Sequence, residues 1–452
     1  MKIIVVGCGK IGTALVEVLA GEGYDIVAVD DNAAVVSQIG NIYDVMCLCG
    51  NGTDCDTLSE AGVKNAELVV ATTASDELNM LTCFLARRMG AKHTIARIRN
   101  PEYSDKSLVF MRQQLNLSLA LNPEMLAARE INNILKLPSA VNIETFSARN
   151  FEMVELQLKP DSVLDGMRLI DIRRKYSGNY LICVVQRGEE VYIPDGKFQL
   201  RGGDRIGLTA APNEIQKLLR KLGLLQKQAR NIMILGGSTT AFYLSKMLIA
   251  EGSDVKIVER DEQRCRIISS ALPEVTVING DGASQELLLE EGISSMDAFV
   301  ALTGMDEENI LISYFAYTQS VSKVIAKINR QELASMASRL GMECIISPRN
   351  ITANVVSRYA RAISNSMGSG IETLYRLMDG ETEALEFNVQ AGLACIGKPL
   401  KELTLKPGIL IAGILRGRKP IIPNGDDMMA EGDKVVVIAA RQRLNDLSDI
   451  LQ

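Results

Sequence analysis

Two stretches of this chain have the residue types and spacing of nucleotide chemistry. The first is Gly7-Cys8-Gly9-Lys10-Ile11-Gly12, a GxGxxG run. In that pattern the first glycine makes a tight turn and the second lets backbone approach a pyrophosphate. The third lets a helix lie close on a strand, so that the phosphates rest on the helix N-terminus. Asp30 follows 18 residues after Gly12, where an acid takes the ribose hydroxyls. Asp31 stands beside it with no Arg in the immediate stretch. A 2'-phosphate would be repelled there, which favours NAD(H) over NADP(H). The second stretch is Gly236-Gly237-Ser238-Thr239-Thr240-Ala241, with Glu259 where Asp30 stood. Ser238 replaces the middle glycine and Ala241 the last. A Cβ at Ser238 crowds a pyrophosphate, whereas the hydroxyls of Ser238, Thr239 and Thr240 suit a phosphate. This copy is either a site for a different nucleotide or a structural remnant.

Thr72, Thr73 and Ser75 follow the fourth expected strand, at the carboxyl edge where open α/β sheets bind ligands. Asp76 and Glu77 read as helix caps. Arg97 and Lys327 end the fifth strands of the two halves, placed to reach a ligand phosphate or interdomain acids. Groups for proton transfer are sparse. His93 is the single histidine, and Lys323 takes its place in the second half, so its role reads as structural. No HExxH, GxSxG or metal-spaced cysteine set occurs, and Cys47 and Cys49 read as ordinary strand residues. Binding without turnover is the economical reading.

The elements that position these residues come as a repeat. Lys2 to Asp31 returns near Asn231 as strand, glycine turn, helix, strand and acid. Gly50 to Asp54 (GNGTD) returns as Gly280 to Ser284, Ala71 to Asn79 as Ala301 to Asn309, and Thr94 to Asn100 as Val324 to Arg330. Ile193 to Gly196 and Gly202 to Asp204 return as Ile422 to Gly425 and Glu431 to Asp433, all at an offset of about 230 residues. The chain is thus a duplication of one two-part unit. The front part alternates continuous apolar runs with helical period, the pattern of a doubly wound parallel sheet. The back part reads as a small α+β module with a hairpin at Tyr180 to Ile193. The expected divisions are 1–140, 141–227, 228–365 and 366–452, with Leu224 to Arg230 linking the halves. Between front and back, Pro123 to Leu137 reads as a helix capped by Asn122 and stopped by Pro138. Its apolar face (Met125, Ile131, Ile134, Leu135) is expected to pack either on another subunit or on its own domain.

At 452 residues the length suits about three domains, and 47% hydrophobic with 23% charged residues is an ordinary globular composition. The net charge of -6 argues against a broad nucleic-acid-binding surface. The longest uncharged run, Asn231 to Ser245, falls short of the roughly 18 to 20 apolar residues that span a bilayer, so any membrane role is expected to be peripheral. Nine cysteines with no CxxC pair, and an N-terminus that opens into a strand, fit a reducing, cytoplasmic setting.

On GCGKIG, Asp30, GNGTD, ATTASDELNM, ARIRNPEY and the IPDG and GGD pair, the chain resembles the peripheral regulatory subunits of Trk-type potassium-uptake systems, built of tandem RCK (KTN) units with TrkA-N and TrkA-C parts. The resemblance covers essentially the whole chain. It implies two Rossmann-like domains, each followed by a TrkA-C module, that bind NAD(H) and respond to ATP or ADP. It also implies a homo-oligomeric ring, a tetramer if eight nucleotide domains come two per chain. Such a ring docks on the cytoplasmic face of an integral, potassium-translocating (TrkH-like) membrane subunit. The candidate cofactor contacts are the whole Gly7 to Gly12 run (Gly7, Cys8, Gly9, Lys10, Ile11, Gly12) with Asp30, Asn51, Gly52, Thr73, Ala74 and Arg97. In the second half they are Gly236, Gly237, Ser238, Thr239, Glu259 and Thr303. Readings of another class are an NAD-dependent oxidoreductase and a nucleotide-sensing regulator of a different partner.

Overall fold

Apolar runs too continuous to have a wet face form the centre of each parallel sheet. In the computed structural model, which describes all residues except 102, 104, 147–150, 366–370, 441, 443 and 445, Ile3 to Val6 and Leu68 to Ala71 are almost completely buried. The first unit contains β1 (Lys2–Val6), β2 (Asp25–Asp30), β3 (Met46–Cys49), β4 (Leu68–Ala71), β5 (His93–Arg97) and β6 (Leu119–Leu121). Its helices are α1 (Lys10–Gly21), α2 (Ala33–Ile42), α3 (Cys55–Glu60), α4 (Asp76–Met89), α5 (Asp105–Gln114) and α6 (Pro123–Lys136). The strands pair in parallel in the order β3-β2-β1-β4-β5-β6, so the order reverses between β1 and β4. That switch point is where doubly wound sheets open a ligand crevice.

A five-stranded antiparallel sheet follows. It comprises β7 (Asn142–Phe146), β8 (Phe151–Gln157), β9 (Tyr180–Arg187), β10 (Glu190–Tyr192) and β11 (Arg205–Ala210), with helices α7 (Leu169–Lys175) and α8 (Pro212–Lys221). Its order is β10-β9-β11-β8-β7. The expected hairpin is present with a longer first strand, its turn reduced to Gly188 and Glu189, where Gly188 takes φ +62°.

The second unit repeats both parts. Its parallel sheet runs β14-β13-β12-β15-β16-β17, from β12 (Asn231–Leu235), β13 (Asp254–Glu259), β14 (Thr276–Asn279), β15 (Ala298–Ala301), β16 (Lys323–Lys327) and β17 (Cys344–Ile346). The helices are α9 (Thr239–Ala250), α10 (Glu262–Ala271), α11 (Gln285–Glu290), α12 (Asp306–Thr318), α13 (Gln331–Arg339) and α14 (Pro348–Asn365). Its antiparallel sheet runs β18-β19-β22-β20-β21, from β18 (Ile371–Leu377), β19 (Thr382–Asn388), β20 (Ile409–Arg416), β21 (Lys419–Ile421) and β22 (Lys434–Ala440). The place of α7 holds only a 3-10 turn, Leu400–Glu402. Thr404 and Pro407 follow closely and oppose further helix. The expected divisions at 140/141 and 227/228 fall between α6 and β7 and between α8 and β12. The one at 365/366 adjoins residues 366–370, which lie outside the described residues.

The two crossover helices correct an expectation. The apolar face of α6 packs neither on its own sheet nor on another subunit, but on the second unit of the same chain. Ala127, Ala128, Ile131, Ile134 and Leu135 join one core with Leu244 and Leu248 of α9, and Met125 packs against its edge. Reciprocally, Ala353, Val356 and Ala360 of α14 join the core of the first unit with Leu15 and Leu19 of α1. Burying Ile131, Ile134 and Leu135 contributes roughly 1.5 to 3 kcal/mol per side chain, which makes this exchange a main tie between the halves. The back sheets also pack on each other. Phe146, Phe151 and Met153 meet Ala384, Ala412 and Val436, and a Cβ on Gly413 would lie 2.2 Å from the Phe151 ring.

Candidate functional site

The three glycines of the first run are there for three different reasons. Gly7 takes φ +85°, and a Cβ on it would lie 2.6 Å from the Thr73 nitrogen at the end of β4. Gly12 faces Gly7 so closely that a Cβ would lie 2.0 Å from its carbonyl oxygen. Gly9 is unlike both. Its φ of -67° is open to any residue, and a Cβ would meet nothing within 4 Å. Nothing in the folded chain calls for glycine there, whereas a pyrophosphate lying on the helix end does. Gly9 is also the N-cap of α1 and offers no side-chain acceptor, so the first amides of that helix remain for a ligand. In the second unit Ser238 holds the matching position with nearly the same backbone angles, and its hydroxyl accepts from the Ala241 amide. The α9 terminus is thereby partly satisfied by its own chain.

Asp30 ends β2 and accepts from the amides of Cys8 (2.7 Å) and Asn32 (2.9 Å), which ties the glycine turn to the acid. Glu259 does the same for Gly237 (2.6 Å) and Asp261 (2.9 Å). Asn51 closes the following loop by accepting from the amide and hydroxyl of Thr53, and Gly52 lets that loop lie on Val6. At the end of β4, the buried Asn79 accepts from Thr73 (2.7 Å) and donates to the Arg97 carbonyl (2.9 Å). Asn309 repeats this with Thr303 and Lys327. Asp76, read as a cap, instead holds the turn after β5 through the amides of Arg99 and Asn100, while Ser75 caps α4.

These loops open into a cavity of about 800 Å³ between the two parallel-sheet units, within the size range of small-molecule sites. Of the sequence candidates it gathers Gly7, Gly9, Lys10, Ile11, Asp30, Asn51, Gly52, Thr73, Ala74 and Arg97 from the first unit. From the second it takes Ser238 and Thr239. Cys8 and Gly12 do not line it. Cys8 points into the core, where burial and then the Asp30 charge push its thiol up to about 12. Gly236, Gly237, Glu259 and Thr303 also lie outside the lining, so the second glycine run contributes its helix end to the shared cavity and not its acid.

Sequence reasoning did not foresee that helix N-termini from both units meet here, among them α1 at Lys10, α9 at Thr239, α6 at Pro123 and Glu124, and α14 at Pro348 and Arg349. Each carries partial positive charge, and together they form a strongly anion-attracting space. A proline starting each crossover helix was the available signal. Side chains add to this field. Arg97 lies 3.6 Å from Glu124, and its Nε and the Glu124 Oε2 have no hydrogen-bond partner although buried. Burial holds the Lys327 ammonium below its usual range, and the nearby Lys10 charge from the other unit pushes the same way, against Asp306 and Glu124. Arg349 pairs with Glu17 at 2.7 Å. His93 stands apart, 3.2 Å from the Tyr359 hydroxyl, with its pKa lowered by burial, Arg87 and Lys92. Among the described residues no three His, Cys, Asp or Glu side chains cluster to hold a metal ion.

Duplicated doubly wound folds with exchanged crossover helices, one shared cavity and a small antiparallel module after each define a tandem Rossmann-like architecture. The fold is that of solved RCK proteins: the chain matches the GsuK RCK domain with a TM-score of 0.63 over 97% of this chain and 92% of that one, at 18% identity. It matches the GsuK channel bound to NAD at 0.62, over 97% and 77%, also at 18% identity. The TrkA-N domain family matches residues 3–110 and 232–348, and the TrkA-C domain family residues 153–223 and 384–452. The chain is 32% identical over 447 residues to the Trk system potassium uptake protein TrkA homolog 1 of Methanosarcina mazei, covering 97% of each. It is 30% identical to the TrkA homolog of Archaeoglobus fulgidus over 100% of both chains. To TrkA of Haemophilus influenzae it is also 30% identical, over 97% of this chain and 95% of that one. The chain belongs to the TrkA family of Trk-system potassium uptake proteins.

Proposed function

We propose that this chain is the nucleotide-sensing regulatory subunit of a potassium-uptake system, binding NAD(H) in the first-unit cleft and responding to ATP or ADP there. It acts without catalysis, by gating an integral, potassium-translocating partner of the TrkH type from the cytoplasmic face of the cell membrane. The observation that carries the reading is the shared cavity, in which an uncapped α1 terminus, the Asp30 carboxylate and cations from both units face one space. The NAD-bound GsuK neighbour, which shares the fold, supports the choice of dinucleotide. In the cavity of this chain Arg97 is paired with Glu124 and Lys327 lies against the Leu302 carbonyl at 3.2 Å, which suits phosphate binding better than proton transfer. The working units are 1–140, 141–227, 228–365 and 366–452. Among the described residues no helix is long and apolar enough to cross a membrane, which supports a peripheral role.

With α6 buried inside the chain, the assembly surface moves elsewhere. Val109 and Phe110 of α5 with Leu81 of α4 are exposed on the first unit, and Leu311, Tyr314 and Tyr317 of α12 with Met336 of α13 on the second. These equivalent faces are proposed to meet between copies of this chain and to close a tetramer, since soluble homo-oligomers favour closed symmetry. Calorimetry with NADH, NAD, ATP and ADP, followed by potassium flux in vesicles holding the membrane subunit with and without this chain, tests the reading. Absence of nucleotide binding would refute the sensing role, and unchanged flux would refute the gating role.

A further inference from the structure

Resting on the nucleotide reading, the geometry points to a one-sided mechanical link in which Glu22, a positioning residue remote from the ligand, couples the first-unit cleft to the back sheet of the second unit. Helix α1 starts at the cavity and is 12 residues long, so it ends about 18 Å away. There Glu22 caps it with a side chain only 2% exposed, accepting from Arg361 Nε at 3.0 Å and Arg376 Nη2 at 2.7 Å. The Ser357 hydroxyl donates to the same carboxylate. Arg361 continues to Glu383 at 3.1 Å. Ser357 and Arg361 belong to α14, Arg376 to β18 and Glu383 to β19.

Helix α14 also begins at the cavity. Its Arg349, which lines the cavity, pairs with Glu17 in the distal half of α1, while Ala353, Val356 and Ala360 share a core with Leu15 and Leu19 of α1. The two helices are thus tied at Glu17 and Glu22 and packed along Leu15 and Leu19, so a displacement of α1 by a ligand is carried to β18 and β19 as a rigid motion. A buried network of two arginines and two glutamates is costly to break and specific in geometry, which makes it suited to transmission.

The matching place in the other unit is built differently. Glu251 caps α9 and meets Lys136 (2.8 Å) and Asn132 (3.0 Å), both on α6, with Lys136 45% exposed. A half-exposed lysine and an asparagine on one helix, with no tie to a back-sheet strand, transmit less. The cleft with the uncapped glycine helix is therefore the one wired across the chain, and its signal arrives in the back part of the opposite unit.

Hydrogen exchange on the full chain with and without NADH tests this, using wild type, Glu22→Gln and Arg376→Gln. In wild type, NADH should slow exchange around Gly9 and Thr73 and also alter it by at least twofold in peptides covering 371–388. Both variants should keep NADH affinity within about threefold and the response at Gly9, yet lose most of the NADH-dependent change at 371–388. A purely structural role would shift basal exchange at 371–388 in the variants and leave the NADH-dependent difference intact, and that result would overturn the link. So would wild-type binding with no change at 371–388. Absence of protection at Gly9 in wild type would instead refute the nucleotide reading itself. If Glu22→Gln does not fold, Arg376→Gln alone decides, because it cuts the direct tie to β18 and leaves Arg361 on Glu22.

Discussion

Replacing Gly9 by alanine separates what the fold needs from what the ligand needs. The added Cβ meets no atom within 4 Å, and φ of -67° requires no strain. Loss of glycine freedom in the unfolded chain stabilises by about 0.4 to 1 kcal/mol, while alanine is a poorer N-cap than glycine by a similar amount. The two nearly cancel, so ligand-free stability should change by less than about 1 kcal/mol. The new methyl group instead projects at the α1 terminus, where a pyrophosphate oxygen would need to lie within hydrogen-bond distance of the backbone. NADH affinity should fall at least tenfold, about 1.4 kcal/mol, and Gly9→Val should lower it further. Gly12→Ala is the control in the opposite sense. Its Cβ would lie 2.0 Å from the Gly7 oxygen, so it should destabilise the ligand-free protein by roughly 1 to 3 kcal/mol as an overpacked contact does. Denaturant unfolding and calorimetry on the same preparations read both quantities. Full NADH affinity in Gly9→Ala would refute the assignment of the α1 terminus as the phosphate site.

Asp30→Asn should weaken NADH binding several-fold by calorimetry, whereas Asp30→Ala should also cost about 1 to 3 kcal/mol of stability because it orphans the Cys8 amide. The pair Ile131→Asp and Leu135→Asp should unfold the junction between the halves, seen as a loss of cooperative melting, since both side chains are buried within the chain. Leu311→Asp with Tyr317→Asp should dissociate the assembly by light scattering while leaving nucleotide affinity intact. Burial raises the Glu144 carboxyl to about 8 and the Glu130 carboxyl to about 7, with their mutual repulsion adding to it at Glu144. Folded-state values above the unfolded one contribute stability that is complete below about 4.5 and lost as pH rises through 7 to 8. Glu144→Gln should therefore flatten the decline in unfolding midpoint between about pH 5 and 8.

Much of the fold was legible because its signals are local and were repeated. Strand, glycine turn, helix and acid recur in order, and each copy supports the other. The partners of the crossover helices were not legible. The stripe through Ile131, Ile134 and Leu135 states that a face is buried, but α1 and α9 present similar apolar surfaces, so only the three-dimensional arrangement selects α9. The same exchange merges two expected clefts into one cavity, which is why its lining takes in Glu124 and Arg349, which the motif spacing does not mark, and leaves Glu259 outside. Cys8 was included because every position of a GxGxxG run was treated alike. Its side chain follows the fully buried β1, where both faces are apolar and no alternation marks the inward direction.

Placing both copies in one chain lets their walls of the cavity diverge. In a dimer of identical units each wall would have to serve as both phosphate cradle and opposing face. Here the first unit keeps the bare helix end and Asp30, while Ser238 of the second caps its own helix and offers hydroxyls across the gap. A ligand held by one wall and touched by the other binds best at one separation of the units, and it shifts the population toward that separation by its difference in affinity alone. Each tenfold preference is worth about 1.4 kcal/mol, so a few contacts across the gap are enough to move an equilibrium between two arrangements. Ligands that differ in charge or length would then favour different separations through the same cations, Arg97 and Lys327, without needing separate sites. The exchanged helices are what make this reading of separation consequential. Since α14 starts at the cavity and packs against β18, a change in gap between the front parts should be carried to an element that belongs to the back.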